Sequence, residues 1–190
     1  VDAHIDRGKA FRLLGDHSRA IADFRRAVAL KADTMEGRVE LVSALAGSGD
    51  RSAAAQYAEE VIKIASDYIR KDPSDRLALL FRGRVRVEAA VEPEKAIADL
   101  DKALELRPDD VEGYVFRAMA HNFAKRFDLA LVDCRKALEV NAQFLVAHYQ
   151  CGVAHEGRGA LPEALAAYRR ALEAPGLPEA RAALRRLEAK

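Results

Sequence analysis

His148, Cys151 and His155 stand at i, i+3 and i+7, a spacing that sets two imidazoles and a thiol on one helical face, where zinc or copper could be held. No paired-cysteine motif completes that set, and His155-Glu156 lacks the second histidine that a zinc-protease helix requires. There is no phosphate loop and no nucleophile elbow. Carboxylates are abundant, but Glu92 and Glu94 follow solvated helical faces, and Asp109 with Glu112 reads as a helix-opening capping box. Cys134 and Cys151 are too few for the disulfide framework of a small secreted domain, so two reduced, buried thiols on adjacent helices are expected and the compartment stays open. The expectation is therefore no catalytic site, no cofactor and no metal centre, with the histidines serving helix packing.

The elements that position these residues are set by a period. Ala20 and Ala54, then Ala96, Ala130 and Ala164, recur 34 residues apart, and Ala27, Ala103, Ala137 and Ala171 follow seven later. Small residues at fixed offsets over that period predict stacked helical hairpins, each burying its apolar face against its neighbours. Half of the 190 residues are apolar, Gly and Pro are sparse, and Trp is absent, which suits an all-helical protein. A formal net charge of +1 gives no global attraction to nucleic acid, and no apolar run reaches the roughly 20 residues that span a bilayer. Arg82, Arg84 and Arg86 look basic in a row, yet helical spacing sends them in different directions. Neither nucleic-acid binding nor membrane insertion is expected.

Counted from Val1, the first repeat carries Gly8, Phe11, Ala20, Phe24 and Ala27. The fourth carries Tyr114, Ala118, His121, Ala130, Cys134 and Ala137, and the fifth His148, Gly152, His155, Ala164, Tyr168 and Ala171. This pattern resembles the tetratricopeptide repeat, a pair of antiparallel helices, although Ala32 replaces the family's proline. The resemblance implies an all-α, right-handed superhelical solenoid forming a single domain over 1–190, with repeats at 1–34, 35–75, 76–110, 111–144 and 145–178. The third has one extra residue in its turn before Pro93. The second is the deviant: Val42 and Val61 stand where small residues belong, and 52–71 runs without Gly or Pro. That run predicts a second helix about two turns longer than its counterparts. Asp72-Pro73 stops it, and Ser74 is placed to cap the next helix. Pro93 and Pro162 fall in first turns, and Pro108 and Pro175 after helix ends. From Pro178 to the end, Ala180, Ala183, Leu184 and Leu187 share one face, which predicts a capping helix over 178–190. The N-terminal end shows no such cap, which suggests either preceding sequence or a binding role for that end.

Arginine occupies repeat position 7 in the first, third and fourth repeats (Arg7, Arg82, Arg117), and those same repeats have Asp23, Asp99 and Asp133 near position 23. The second and fifth have neither, showing Leu41 with Tyr57 and Cys151 with Ala167. Joint presence and joint absence predict pairing across each hairpin, as Arg7 with Asp23, Arg82 with Asp99 and Arg117 with Asp133. A planar guanidinium can give two hydrogen bonds to one carboxylate, fixing geometry more than adding stability.

In tetratricopeptide domains the ligand lies along the inner face formed by the first helices. The resemblance places Lys9, Arg12, Arg84, Met119, Asn122, Phe123 and Tyr149 there, with basic character early and apolar character late. Relatives that clamp C-terminal carboxylates carry Lys and Asn in the first clamp repeat and further Asn, Lys and Arg in the next two, where this chain has Ile5 and Lys9, then Glu40, Leu77 and Phe81, so that specificity is not expected. The function expected is a non-enzymatic interaction module or adaptor for a protein or peptide. The alternatives are a self-assembling scaffold, including a homodimer, or the repeat portion of a larger enzyme or regulator.

Overall fold

The computed structural model describes residues 1–30, 35–173 and 177–189. Ala32 and Pro175 lie outside them. Among the described residues there are eleven α-helices and no strand. Five hairpins follow one another: α1 (Asp2–Leu13) with α2 (His17–Leu30), α3 (Met35–Ser48) with α4 (Arg51–Lys71), α5 (Arg76–Glu88) with α6 (Pro93–Leu106), α7 (Val111–Phe123) with α8 (Phe127–Val140), and α9 (Leu145–Gly157) with α10 (Leu161–Arg170). The final helix is α11 (Pro178–Glu188). The contacts divide the chain into two compact units, Val1–Ala103 and Leu104–Lys190.

In the first unit α1 packs on α2, α2 on α3, α3 on α4 and α4 on α5, while the first helices of successive hairpins, α1, α3 and α5, also touch. One core joins Ile5, Ala20, Phe24, Ala27, Leu41, Leu45 and Ala54. A second joins Val39, Val42, Ala58, Val61 and Val85. Val42 and Val61 are fully buried together with Ala58, so the departures from small residues in this repeat are accommodated by pairing larger residues with each other. In the second unit α7 packs on α8, α8 on α9, α9 on α10 and α10 on α11, and α7 touches α9. The capping helix buries Ala183, Leu184 and Leu187 against Ala164 and Tyr168.

The period itself has a steric cause. A Cβ added to Gly8 would lie 2.6 Å from the Phe24 ring, and one added to Gly152 would lie 2.5 Å from the Tyr168 ring. Both hairpins thus press one large side chain onto a bare backbone, and the pair recurs at the same repeat positions. The turns repeat equally: Gly15, Gly49, Ala90, Lys125 and Gly159 all have positive φ, at 75°, 86°, 57°, 57° and 76°. In each case the next residue's N–H reaches back to the first helix, as Asp16 N does to Phe11 O and Arg126 N to His121 O. That is the left-handed helix stop which glycine adopts most easily. The extra residue of the third repeat is absorbed in this turn, where Glu92 also takes φ 47°.

The α4 helix has 21 residues against 14 in α2, α6 and α8. Two caps differ from the sequence expectation. Asp75, not Ser74, caps α5 by accepting from Ala78 N at 3.0 Å, while the Ser74 hydroxyl donates to Asp72 at 2.6 Å. Asp110, not Asp109, caps α7 by accepting from Gly113 N at 3.2 Å, and Asp109 instead accepts from Arg107 Nε. In both places two polar residues compete, and the carboxylate immediately before the first helical residue holds the cap geometry.

Candidate binding surfaces

The recurring Arg and Asp residues meet across their hairpins. Arg7 donates to Asp23 from Nε at 2.7 Å and Nη2 at 2.6 Å. Arg82 does so to Asp99 at 2.8 and 2.6 Å, and Arg117 to Asp133 at 2.9 and 2.6 Å. All three carboxylates are buried. Each hairpin adds a further partner that the repeat pattern does not announce. His4 Nδ1 lies 3.1 Å from Asp23, and His121 Nε2 lies 3.8 Å from Asp133. Arg86 also donates to Asp99, which corrects the expectation that Arg82 and Arg86 point in different directions: they stand one helical turn apart, on one face. Ser66 of α4 accepts from Arg82 at 2.9 Å. Hydrogen bonds from Arg7 hold the Asp23 carboxyl below its ordinary value against the opposing effect of burial.

The inner helices of the first unit carry a second polar system, from α1 through α3 to α5. Lys9 donates to Glu36 at 2.6 Å, and Arg12 Nη2 lies 3.4 Å from Glu40. Both cations keep about a third of their side chains exposed. Arg84 corrects the sequence expectation of an open basic group. It is 6% exposed and donates to Glu40 at 3.0 Å, Ser43 at 2.7 Å and Glu88 at 3.1 Å. The sequence placed Arg84 on the inner face but gave no sign that two carboxylates close over it. Burial pushes the Glu88 carboxyl up, and Arg84 and Ser43 only partly offset it. Burial also acts to raise Glu40, but Arg84 and Arg12 outweigh it and the group titrates below its ordinary value.

In the second unit, Met119, Asn122 and Phe123 come from α7 and Tyr149 from α9. Phe123 is 52% exposed. Beside it the Asn122 amide donates to both the Gln150 carbonyl at 3.1 Å and the Gln150 side chain at 3.0 Å. Nothing in the sequence marks Gln150, which is buried, since one glutamine on an apolar helix carries no periodic signal. Tyr149 takes a different environment from Phe123. Its ring centroid lies 5.6 Å from that of Tyr168, within the cluster closed by Leu184 and Leu187 of α11. Burial pushes its phenol up. Glu156 accepts from the Tyr168 hydroxyl at 2.9 Å and from Arg186 at 2.8 and 2.6 Å, tying α9 and α10 to α11.

The histidines and cysteine of α9 are not assembled around a common point. His148 Nε2 lies 3.1 Å from the Ala142 carbonyl, and Cys151 packs with Cys134, Ala118, Ala130 and Ala154. No group of three His, Cys, Asp or Glu suited to a metal ion occurs among the described residues. No described helix is long and apolar enough to cross a membrane.

Comparison with known proteins places this geometry. Two tetratricopeptide repeat profiles match, one over residues 1–34 and one over 39–110. The DnaJ homolog subfamily C member 7 homolog of Schizosaccharomyces pombe is 26% identical over 150 residues, which is 75% of this chain and 32% of that protein. Hsc70-interacting protein 1 of Drosophila melanogaster is 31% identical over 106 residues, covering 56% of this chain and 28% of the relative. The chain therefore spans about a third or less of these relatives' lengths. Among solved structures, a thermophilic TPR protein of Thermus thermophilus, TTC0263, superposes with a TM-score of 0.72 at 18% identity, covering 100% of this chain and 99% of that one. The first TPR domain of human RPAP3 gives 0.57 at 28% identity, covering 62% and 92%. The hairpins, the glycine seats beneath Phe24 and Tyr168, and the profiles over both early stretches agree, and the chain belongs to the tetratricopeptide repeat family.

Proposed function

We propose that this chain is a non-enzymatic, protein-binding module that holds a peptide or partner segment on the inner faces of its first helices. In the first unit the contacting groups are Lys9 and Arg12, with Arg84 acting behind them by holding Glu40 and Glu88 in place. In the second unit they are Met119, Asn122 and Phe123, with Tyr149 supporting the adjoining surface. The observation that carries the reading is Phe123, a large aromatic left half in solvent on α7 beside an asparagine whose amide is already fixed by Gln150. An exposed aromatic next to an immobilised polar group is the kind of anchor that supplies most of the energy of a small interface. The names of the relatives make chaperone-system proteins the first partners to offer.

The test is capture on immobilised protein, comparing wild type with Phe123→Ala and with Lys9→Glu/Arg12→Glu, the bound proteins being identified by mass spectrometry. A partner retained by wild type and lost from a variant with unchanged helical circular dichroism supports the reading. Equal capture by all three refutes the assignment of these residues. Self-assembly is the second reading, favoured by Leu129, Val132 and Val140, which are all exposed on α8. A molecular mass that rises with concentration and reverts in Val132→Lys would select it.

A further inference from the structure

Cys134 of α8 and Cys151 of α9 are buried in one cluster, both as free thiols. Their helices pack directly on each other, and the two thiols lie close enough for each to shift the other's titration. Neither thiol belongs to the binding surfaces above, and the rest of their buried cluster is apolar, made of Ala118, Ala130, Leu131 and Ala154. We propose that Cys134 and Cys151 form a reversible intramolecular disulfide on exposure to a small disulfide oxidant such as oxidised glutathione, making this pair a redox-modification site that fastens α8 to α9.

The two thiols are inequivalent, which orders the steps. Cys134 is fully enclosed while Cys151 is 9% exposed, so Cys151 is the thiol an oxidant reaches first. The interaction with Cys134 lowers the Cys151 thiol, whereas the same interaction and burial raise Cys134. The Cys151 thiolate attacks one sulfur of oxidised glutathione. A protein–glutathione S–S bond forms, the glutathione S–S bond breaks, and glutathione thiolate leaves and takes up a proton. Cys134 then loses its proton to solvent as the helices open locally and attacks the Cys151 sulfur, forming the internal disulfide and expelling the second glutathione. Two thiols are oxidised by two electrons and one glutathione disulfide is reduced to two glutathiones. The bridge would join the repeat bearing Asn122 to the repeat bearing Gln150, the two ends of the hydrogen bonds that fix Asn122.

The experiment incubates the full chain, under native conditions, in glutathione buffers of increasing oxidised fraction, traps free thiols by alkylation and reads intact and peptide masses. The expected result is a monomer lacking two hydrogens, a peptide linking Cys134 to Cys151, and full reversal by reduced glutathione. Cys134→Ala should instead accumulate one glutathione on Cys151, and Cys151→Ala should leave Cys134 unmodified. Circular dichroism checks that both variants are folded. Two alkylated thiols throughout the series, glutathione on both cysteines without a bridge, or a disulfide formed only between chains or only in denaturant would each overturn the proposal.

Discussion

Asp133 is 2% exposed and accepts two hydrogen bonds from Arg117, so removing its carboxylate strands a guanidinium that is itself only 21% exposed. Asp133→Ala is expected to cost about 3 kcal/mol, and Asp99→Ala a similar amount. Asp23→Ala should cost distinctly less, because Arg7 is 60% exposed and water can replace its partner. Urea denaturation of the three variants measures the order, and equal losses would refute it. Glu88 supplies a pH test. Its carboxyl is raised above its ordinary 4.5, so the folded state binds the proton more tightly than the unfolded chain. The associated stability is complete below that ordinary value and is lost as pH rises through the raised one. Glu88→Gln, which mimics the protonated acid, should flatten that loss and leave the variant more stable than wild type at alkaline pH. Unfolding midpoints across the pH range would show it, and an unchanged slope would argue against it. The Arg and Asp pairs were legible in sequence because repeats supply internal controls. The Arg84 network was not, because Glu40 and Glu88 each occur at their position in only one repeat.

The turns and the long second hairpin are governed at the level of the element. Five turns require a left-handed residue at the same repeat position, and three supply glycine while Ala90 and Lys125 do not. Lys125→Gly removes that strain and should stabilise the chain by about 1 kcal/mol, despite the greater freedom of glycine in the unfolded state. A lowered thermal midpoint would contradict this. The extent of α4 was readable from an uninterrupted helical period closed by Asp72-Pro73, whereas the caps at Asp75 and Asp110 were misplaced by one residue. Periodicity spans many residues and averages out local competition. A cap is decided by one carboxylate against its neighbour, and only the backbone geometry separates them.

For the whole molecule, a repeat array distributes stability over neighbouring contacts in place of one central core. In the second unit α11 closes the terminal hairpin through Ala183, Leu184 and Leu187 and through Arg186 on Glu156. Deleting residues 178–190 exposes Tyr168 and Ala164, and hydrogen exchange should accelerate in α9 and α10 well before it does in α1 and α2. Uniform acceleration along the chain would instead indicate a single cooperative unit. The capping role was visible in the sequence as an apolar face on a short terminal helix, but its ionic attachment to Glu156 was not.

The sequence by itself determined the helical-hairpin repeat and the three arginine–aspartate pairs. All of these follow from steric and charge requirements imposed at fixed offsets, and a period makes such requirements visible several times over. Only the tertiary structure decided that Arg84 is enclosed by Glu40 and Glu88, that Tyr149 packs beneath α11 while Phe123 stays open, and that Cys134 and Cys151 share one cluster. Exposure is a property of what neighbouring elements cover. The physical reason is that burial depends on contacts between residues distant in the chain, each occurring once, so no repetition within the sequence could reveal them.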